Sequence, residues 1–231
     1  MKTHEKGKNM PTLLRIDASA RQTRSLTRMM SDHFLRTWYQ LAADVNVIER
    51  DVGLHPPAPI SENWIDAAFT SVDQRTSEQM AELETSDRLI AEIDRSDIIL
   101  MATPMYNYGL PAALKAWVDQ VVRVDKTFTF DLSRGDRPLE PIFSGKTLVI
   151  LTATGEFGFG AGGINADADH LVRHIRTISK YLGAESLHHI GIEYQEFADH
   201  RFEKSKADAL TSVELLAAEL ANHNETLQTV S

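Results

Sequence analysis

Ser19, Thr23, Ser25 and Thr27 crowd into the stretch between a short apolar run and a segment of helical spacing. That placement suits a phosphate, because unpaired N–H groups and the positive end of a helix dipole attract an anion and hydroxyls add donors. The same residues also suit a plain turn in which Ser25 caps the helix. A nucleotide triphosphatase loop would read G-x-x-x-x-G-K-[ST], and neither its glycines nor its lysine is present. The chain has no cysteine, which excludes cysteine nucleophiles, zinc–thiolate sites, iron–sulfur clusters and disulfides. Binding of a phosphate, and not its transfer, is the chemistry left.

A second cluster, Pro104-Met105-Tyr106-Asn107-Tyr108-Gly109, follows the most continuously apolar segment. Its planar and polarizable side chains can lie against a flat ring while loop N–H and C=O groups bond the ring's edge. An ordinary strand-to-helix turn whose aromatics cover nearby core reads equally well. A third stretch holds Gly158, Gly160 and Gly163 in the literal pattern G-x-G-x-x-G. A dinucleotide fingerprint belongs to the first strand of its unit and needs an acidic residue about 20 positions on, so a flexible loop near a ligand is favoured. His170 and His174 share a helical face without an H-E-x-x-H core, and His188 and His189 point to opposite sides of a strand, so no metal site is expected.

The elements that must position these clusters follow from periodicity. Leu13, Leu14 and Ile16 open a first strand, and Leu26, Met29, Met30, Phe34, Trp38 and Leu41 mark a helix. Val45 to Glu49 is a second strand, with a Pro-rich connection to Pro59. A helix is expected from Thr70 to Arg95, followed by a buried strand at Asp97 to Thr103. Leu114 to Val122 is helical, and residues 125 to 145, with TFTF at Thr127 to Phe130, predict a β-hairpin insertion. Lys146 to Ala153 is a fourth main strand, Ala166 to Leu182 a helix, Leu187 to Tyr194 a fifth strand and Ala207 to Leu220 a closing helix. Five strands separated by helices predict a doubly wound parallel sheet. Ligands in such sheets bind beyond the strands' carboxyl ends, which selects loops 18–27, 104–111 and 153–163.

The 231 residues carry 24 Lys plus Arg against 33 Asp plus Glu, a formal charge of -9 that disfavours nucleic acid as a partner. Hydrophobic residues make up 42%, ordinary globular usage. No apolar run approaches the ~20 residues of a spanning helix and the first residues do not read as a secretory signal, so a cytoplasmic protein without membrane contact is expected. Residues 1–10 read as a flexible tail before one domain at 11–231.

Taken together, S19-x5-S25-x-T27 after the first strand, PMYNY at 104–108 and TFTF before a hairpin resemble the FMN-dependent NADH azoreductases, the flavodoxin-like quinone and azo-dye reductases. The likeness runs from Leu13 to the closing helix. It implies a flavodoxin-like sheet of order 2-1-3-4-5, tightly held FMN, and NADH or NADPH as electron donor. By this resemblance Ser19, Ser25, Leu26 and Thr27 hold the FMN phosphate, and Pro104, Met105, Tyr106, Asn107 and Tyr108 line the flavin and its ribityl chain. The family's Ser-Arg-Gly-Gly-like turn after strand four reads Ala153-Thr154-Gly155-Glu156 here, so Thr154, Gly155 and Glu156 are expected at the flavin with only Gly155 kept. A carboxylate aimed inward there would oppose flavin reduction, so Glu156 either turns to solvent or lowers the flavin's potential. The chemistry would be carried by FMN without a catalytic side chain. A ping-pong cycle would reduce quinones and azo compounds in a homodimer, with Phe128, Phe130, Phe157 and Trp64 as candidate pocket walls. An electron carrier without dinucleotide turnover, and a Rossmann enzyme using the glycine loop, are the competing readings.

Overall fold

Ile98–Pro104 buries every side chain but its last, on alternating faces, and forms the central strand β3 of the computed structural model, which describes residues 10–41 and 44–230. The expected tail lies outside the described residues except for Met10. Around β3 stand β1 (Thr12–Asp17), β2 (Asn46–Asp51), β6 (Lys146–Ala153) and β7 (Ala184–Ile192), all parallel in the order β2-β1-β3-β6-β7. Counting main strands alone, this is the expected 2-1-3-4-5. The insertion is an antiparallel pair, β4 (Phe128–Phe130) and β5 (Leu139–Pro141).

Each face of the sheet has its own core. Ile99, Met101, Leu148 and Ile150 pack under α3 (Ser77–Asp94), α4 (Ala112–Val121) and α5 (Val172–Ile178). Leu13, Leu100, Val149 and Leu151 pack under α1 (Leu26–Leu41) and α6 (His200–Val230). Each fully buried aliphatic side chain stabilises the fold by ~1.5–3 kcal/mol, which makes this sheet the rigid frame for the loops at its upper edge.

α6 runs from His200 to Val230, well beyond the expected Ala207 to Leu220, and β7 covers Ala184 to Ile192 where Leu187 to Tyr194 was expected; three further elements differ. A short helix, α2 (Glu62–Phe69), occupies a stretch to which no element was assigned; Ser61 caps it by accepting from the Trp64 N–H, and Trp64, Ala67 and Ala68 bury one side. The helix expected from Thr70 starts only at Ser77, because Thr76 and Gln79 form a reciprocal capping box there. The helix expected over Ala166 to Leu182 is α5 alone, flanked by 3-10 turns. Its entry is bent because Asp169 Oδ1 accepts from the Leu171 and Val172 N–H groups while the His170 N–H donates to the Tyr108 carbonyl at 3.0 Å.

Candidate functional site

The first loop leaves β1 through the Ala18 N–H, which donates to the Ala102 carbonyl at 2.9 Å and ties the loop's root to β3. Ser19 is buried and its Oγ accepts from the Arg21 N–H at 3.2 Å. Arg24, at φ 58°, turns the chain left-handed into Ser25. Ser25 is the cap of α1: its Oγ accepts from the Arg28 N–H at 3.4 Å and lies 3.3 Å from Thr27 Oγ1. The N–H groups of Leu26 and Thr27 sit in the first helical turn, where no intrahelical acceptor exists. Hydroxyls, free amides, a helix dipole and the exposed guanidinium groups of Arg21 and Arg24 therefore meet at one point.

The Arg28 side chain ties this loop down. It donates to the carbonyls of Ser19 at 2.7 Å and Arg21 at 3.0 Å, and forks onto Asp51 at 2.6 and 2.8 Å. Gly53 completes the support from β2's exit: a Cβ there would stand 2.1 Å from the Ser19 carbonyl oxygen.

The second loop is a tight turn in which Tyr106 and Gly109 exchange both backbone hydrogen bonds, at 3.2 and 3.0 Å. Asn107 and Tyr108 occupy its centre at φ 48° and 65°, the type I′ pattern in which a tyrosine is strained by ~1 kcal/mol or more. Three contacts hold Tyr108 there. Its hydroxyl donates to Glu156 Oε1 at 2.8 Å, its carbonyl accepts from His170, and its ring meets Phe159 at 6.4 Å.

The third loop is fixed by its carbonyls. Those of Thr154, Gly155 and Glu156 accept from Gln195, Glu196 and Tyr194 at 3.1–3.2 Å, which leaves the N–H groups of Gly155 and Glu156 without a protein acceptor among the described residues. Glu156 is exposed and its carboxylate also accepts from Asn165 Nδ2 at 3.4 Å. The side chain thus turns to solvent, where it bonds Tyr108. The glycine pattern builds a closed turn: a Cβ on Gly163 would lie 2.2 Å from the Gly158 carbonyl oxygen, and the N–H groups of Gly158 and Phe159 donate to Glu193 Oε1. Those amides are already engaged, so they offer no cradle to a pyrophosphate.

Hydrogen bonding to Glu156, reinforced by its negative charge, holds the Tyr108 phenol above its ordinary value of 10.0. In Glu156→Gln, Tyr108 is expected to titrate at lower pH in a spectrophotometric titration, with Tyr108→Phe identifying its signal. An unchanged midpoint would show that the two loops are not joined at this point.

The loops converge on a cleft of about 230 Å³. Ser19, Ser25, Leu26 and Thr27 line it from the first loop, Pro104, Met105 and Tyr106 from the second, and Gly155 from the third. Arg21, Arg24, Gln195 and Glu196 also line it, and none of these four was singled out from sequence. The two arginines had a legible signal, since Arg21, Arg24 and Arg28 recur through the first crossover of an acidic chain. Asn107, Tyr108 and Glu156 are not among the residues that line it, and Thr154 lines a neighbouring chamber.

The four candidate wall residues scatter. Phe157 lies at the third loop, stacked on Tyr194 at 4.4 Å and 12°. Trp64 does not reach the cleft: it is 6% exposed, in a satellite core with Ala67, Ala68 and Leu83, and its Nε1 donates to Gln120. The Phe128 ring packs on Tyr181 at 5.2 Å, and Phe130, 53% exposed on the hairpin, is not among the cleft-lining residues.

A family model described as flavodoxin-like fold matches residues 11–215. The FMN-dependent NADH:quinone oxidoreductase 2 of Colwellia psychrerythraea is 50% identical over 218 residues, covering 91% of this chain and 100% of that protein. The FMN-dependent NAD(P)H:quinone oxidoreductase 1 of Pseudomonas aeruginosa is 35% identical, covering 87% of this chain and 95% of its own. Among solved structures, an FMN-dependent NADH-azoreductase from Bacillus anthracis in complex with FMN superimposes with a TM-score of 0.80 at 17% identity, covering 92% of this chain and 100% of that one. At that identity the likeness speaks to the fold alone.

Proposed function

Because the chain belongs to the FMN-dependent NADH:quinone oxidoreductases of the flavodoxin-like fold, we propose that its three-loop cleft holds FMN and reduces quinones and aromatic azo compounds with electrons from NADH or NADPH. The observation that carries this reading is the convergence of the Ser19, Ser25 and Thr27 loop with Met105 and Tyr106 on one cleft.

The residues present fit FMN by the chemistry of their donor set. Hydroxyls, first-turn amides and two guanidinium groups match a phosphate dianion, and the unengaged N–H groups of Gly155 and Glu156 match the polar edge of a flavin. When bound, FMN supplies the hydride-accepting chemistry, and the protein supplies orientation, electrostatics and exclusion of water. Ser25 and Thr27 would hold the phosphate, and Met105 and Tyr106 would flank the ring. The Tyr108–Glu156 bond joins the second and third loops and holds the carboxylate in solvent, where it would not oppose flavin reduction. Donor and acceptor would then take turns in the same open space, a ping-pong sequence.

We further read the active form as a homodimer. Ile65, Phe69 and Val72 expose 42%, 76% and 69% of their surfaces at and just beyond α2, an apolar set suited to a second copy. No helix among the described residues is long and apolar enough to cross a membrane, and we place the protein in the cytoplasm.

The test is anaerobic mixing of the FMN-loaded protein with NADH, then a quinone. Prompt loss of the yellow absorbance, restored by the quinone, is expected. A flavin that stays yellow would make the protein an electron carrier, and a colourless purified protein that binds NADH would support the glycine-loop enzyme.

Ser25→Ala is expected to weaken FMN binding by ~1.5–3 kcal/mol, since a hydrogen bond to a charged group is lost. Riboflavin, which lacks the phosphate, should bind wild type and variant alike. Equal FMN affinity in the two proteins would remove Ser25 from the site.

A further inference from the structure

Beside the cofactor cleft lies a larger chamber of about 470 Å³ between the third loop, α5 and β7. It shares Met105 with the cleft, so a two-ended molecule with one end at the flavin has room for the other here. A further hollow of about 560 Å³ adjoins it through His189, Gly191 and Ser205.

The charges around the chamber are unequally committed. Asp169 caps α5 by accepting from the Leu171 and Val172 N–H groups, and Glu193 accepts from those of Gly158 and Phe159. Both carboxylates are therefore engaged with backbone. Arg176 forms no ion pair among the described residues, and Arg173 has only a 3.4 Å contact with the fully exposed Asp167. In a chain of net charge -9, two such guanidinium groups over a mostly apolar chamber suit a ligand carrying oxyanions.

The floor is also built. His189 Nε2 lies 2.8 Å from Thr152 Oγ1, and Gly191 leaves room for that pair, since a Cβ there would stand 2.8 Å from the Thr152 hydroxyl. The imidazole opens to the chamber, while surrounding protein and then the Arg176 charge hold its pKa below the usual value. It is a neutral polar contact at neutral pH and adds no competing charge.

We propose that this chamber receives the adenosine diphosphate half of the nicotinamide dinucleotide, with Arg173 and Arg176 on its phosphate oxygens. The proposal rests on the oxidoreductase reading above and names the donor's second contact. Its volume falls within the range of small-molecule sites. The guanidinium forks match phosphate oxygens in pairs.

The test compares wild type with Arg173→Ala/Arg176→Ala, both FMN-loaded, using NADH and reduced nicotinamide mononucleotide, which lacks the adenosine half. Both arginines are exposed on a helix, where alanine is well tolerated. The variant is expected to raise KM for NADH about tenfold or more and to weaken ADP-ribose binding in calorimetry to match, leaving the truncated donor unaffected. Unchanged NADH KM and ADP-ribose affinity would overturn the proposal, as would an equal slowing of both donors, which would place the arginines' effect at the flavin. If neither donor bleaches the wild-type flavin, the oxidoreductase reading itself falls, a result distinguishable from the others.

Discussion

Gly53→Ala is expected to lower stability by ~1–3 kcal/mol and to reduce FMN affinity by at least about tenfold. The new Cβ would meet the Ser19 carbonyl oxygen at 2.1 Å, its carbon at 2.6 Å and the Ala18 carbonyl carbon at 3.0 Å, all backbone atoms. A flexible side chain can swing aside, but these atoms cannot, because the Ala18 N–H is bonded to β3 and the Gly53 N–H to the Asp17 carbonyl. Relief must come from moving Ser19, which displaces the phosphate loop from α1's first turn. Denaturant midpoint and flavin fluorescence titration read the two effects separately. Wild-type values in both would show that β2's exit does not support the loop.

Arg28→Ala is the second large change. It removes the donors to the Ser19 and Arg21 carbonyls and leaves Asp51 without its forked partner, beside a buried Asp17 whose carboxylate Arg28 also approaches at 3.8 Å. Breaking a partly buried pair of this kind costs ~2–4 kcal/mol, below the figure for a fully buried one because Asp51 keeps some solvent contact. FMN affinity should fall with it.

The pH dependence carries a definite sign. Partial burial opposes ionisation of Asp51, but hydrogen bonds from Arg28 and the Leu54 N–H, with the Arg28 charge, outweigh it and hold its pKa below the usual aspartate value. A carboxylate depressed in the folded state contributes stability above its unfolded pKa, lost as pH falls through the folded value. The gap between wild type and Arg28→Ala should therefore be full at neutral pH and narrow below about pH 4. A gap constant down to pH 2 would contradict an ionic role.

Much of this was legible in the sequence because it is periodic or local. β3 and β6 are continuous apolar runs, and β6 occupies its expected Lys146 to Ala153. The hairpin followed from alternation and a turn-rich connection. Errors fell where a side-chain cap overrides periodicity: Ser61 starts α2, Thr76 delays α3, and Asp169 bends the entry to α5. The first two carry readable signals, a serine before a short helix and a T-x-x-Q box. The third depends on Tyr108, some sixty residues away, and has none.

The site divides in the same manner. Hydroxyls at a helix start and PMYNY at a strand end announce themselves locally. Gly53, Arg28 on Asp51, and Gln195 at the cleft depend on which strands become neighbours, and spacing along one chain does not report it. Trp64 shows the converse. A large aromatic residue attracts a ligand reading, whereas Gln120 and the packing of α2 on α3 account for where it lies.

The arrangement as a whole is tested most directly by the crystal structure of the FMN-loaded protein. The phosphate is expected within hydrogen-bond distance of Ser25 Oγ and the Leu26 and Thr27 N–H groups, with the ring beside Met105 and Tyr106. A phosphate seated at Gly158–Gly163, or a flavin ring away from the second loop, would contradict it.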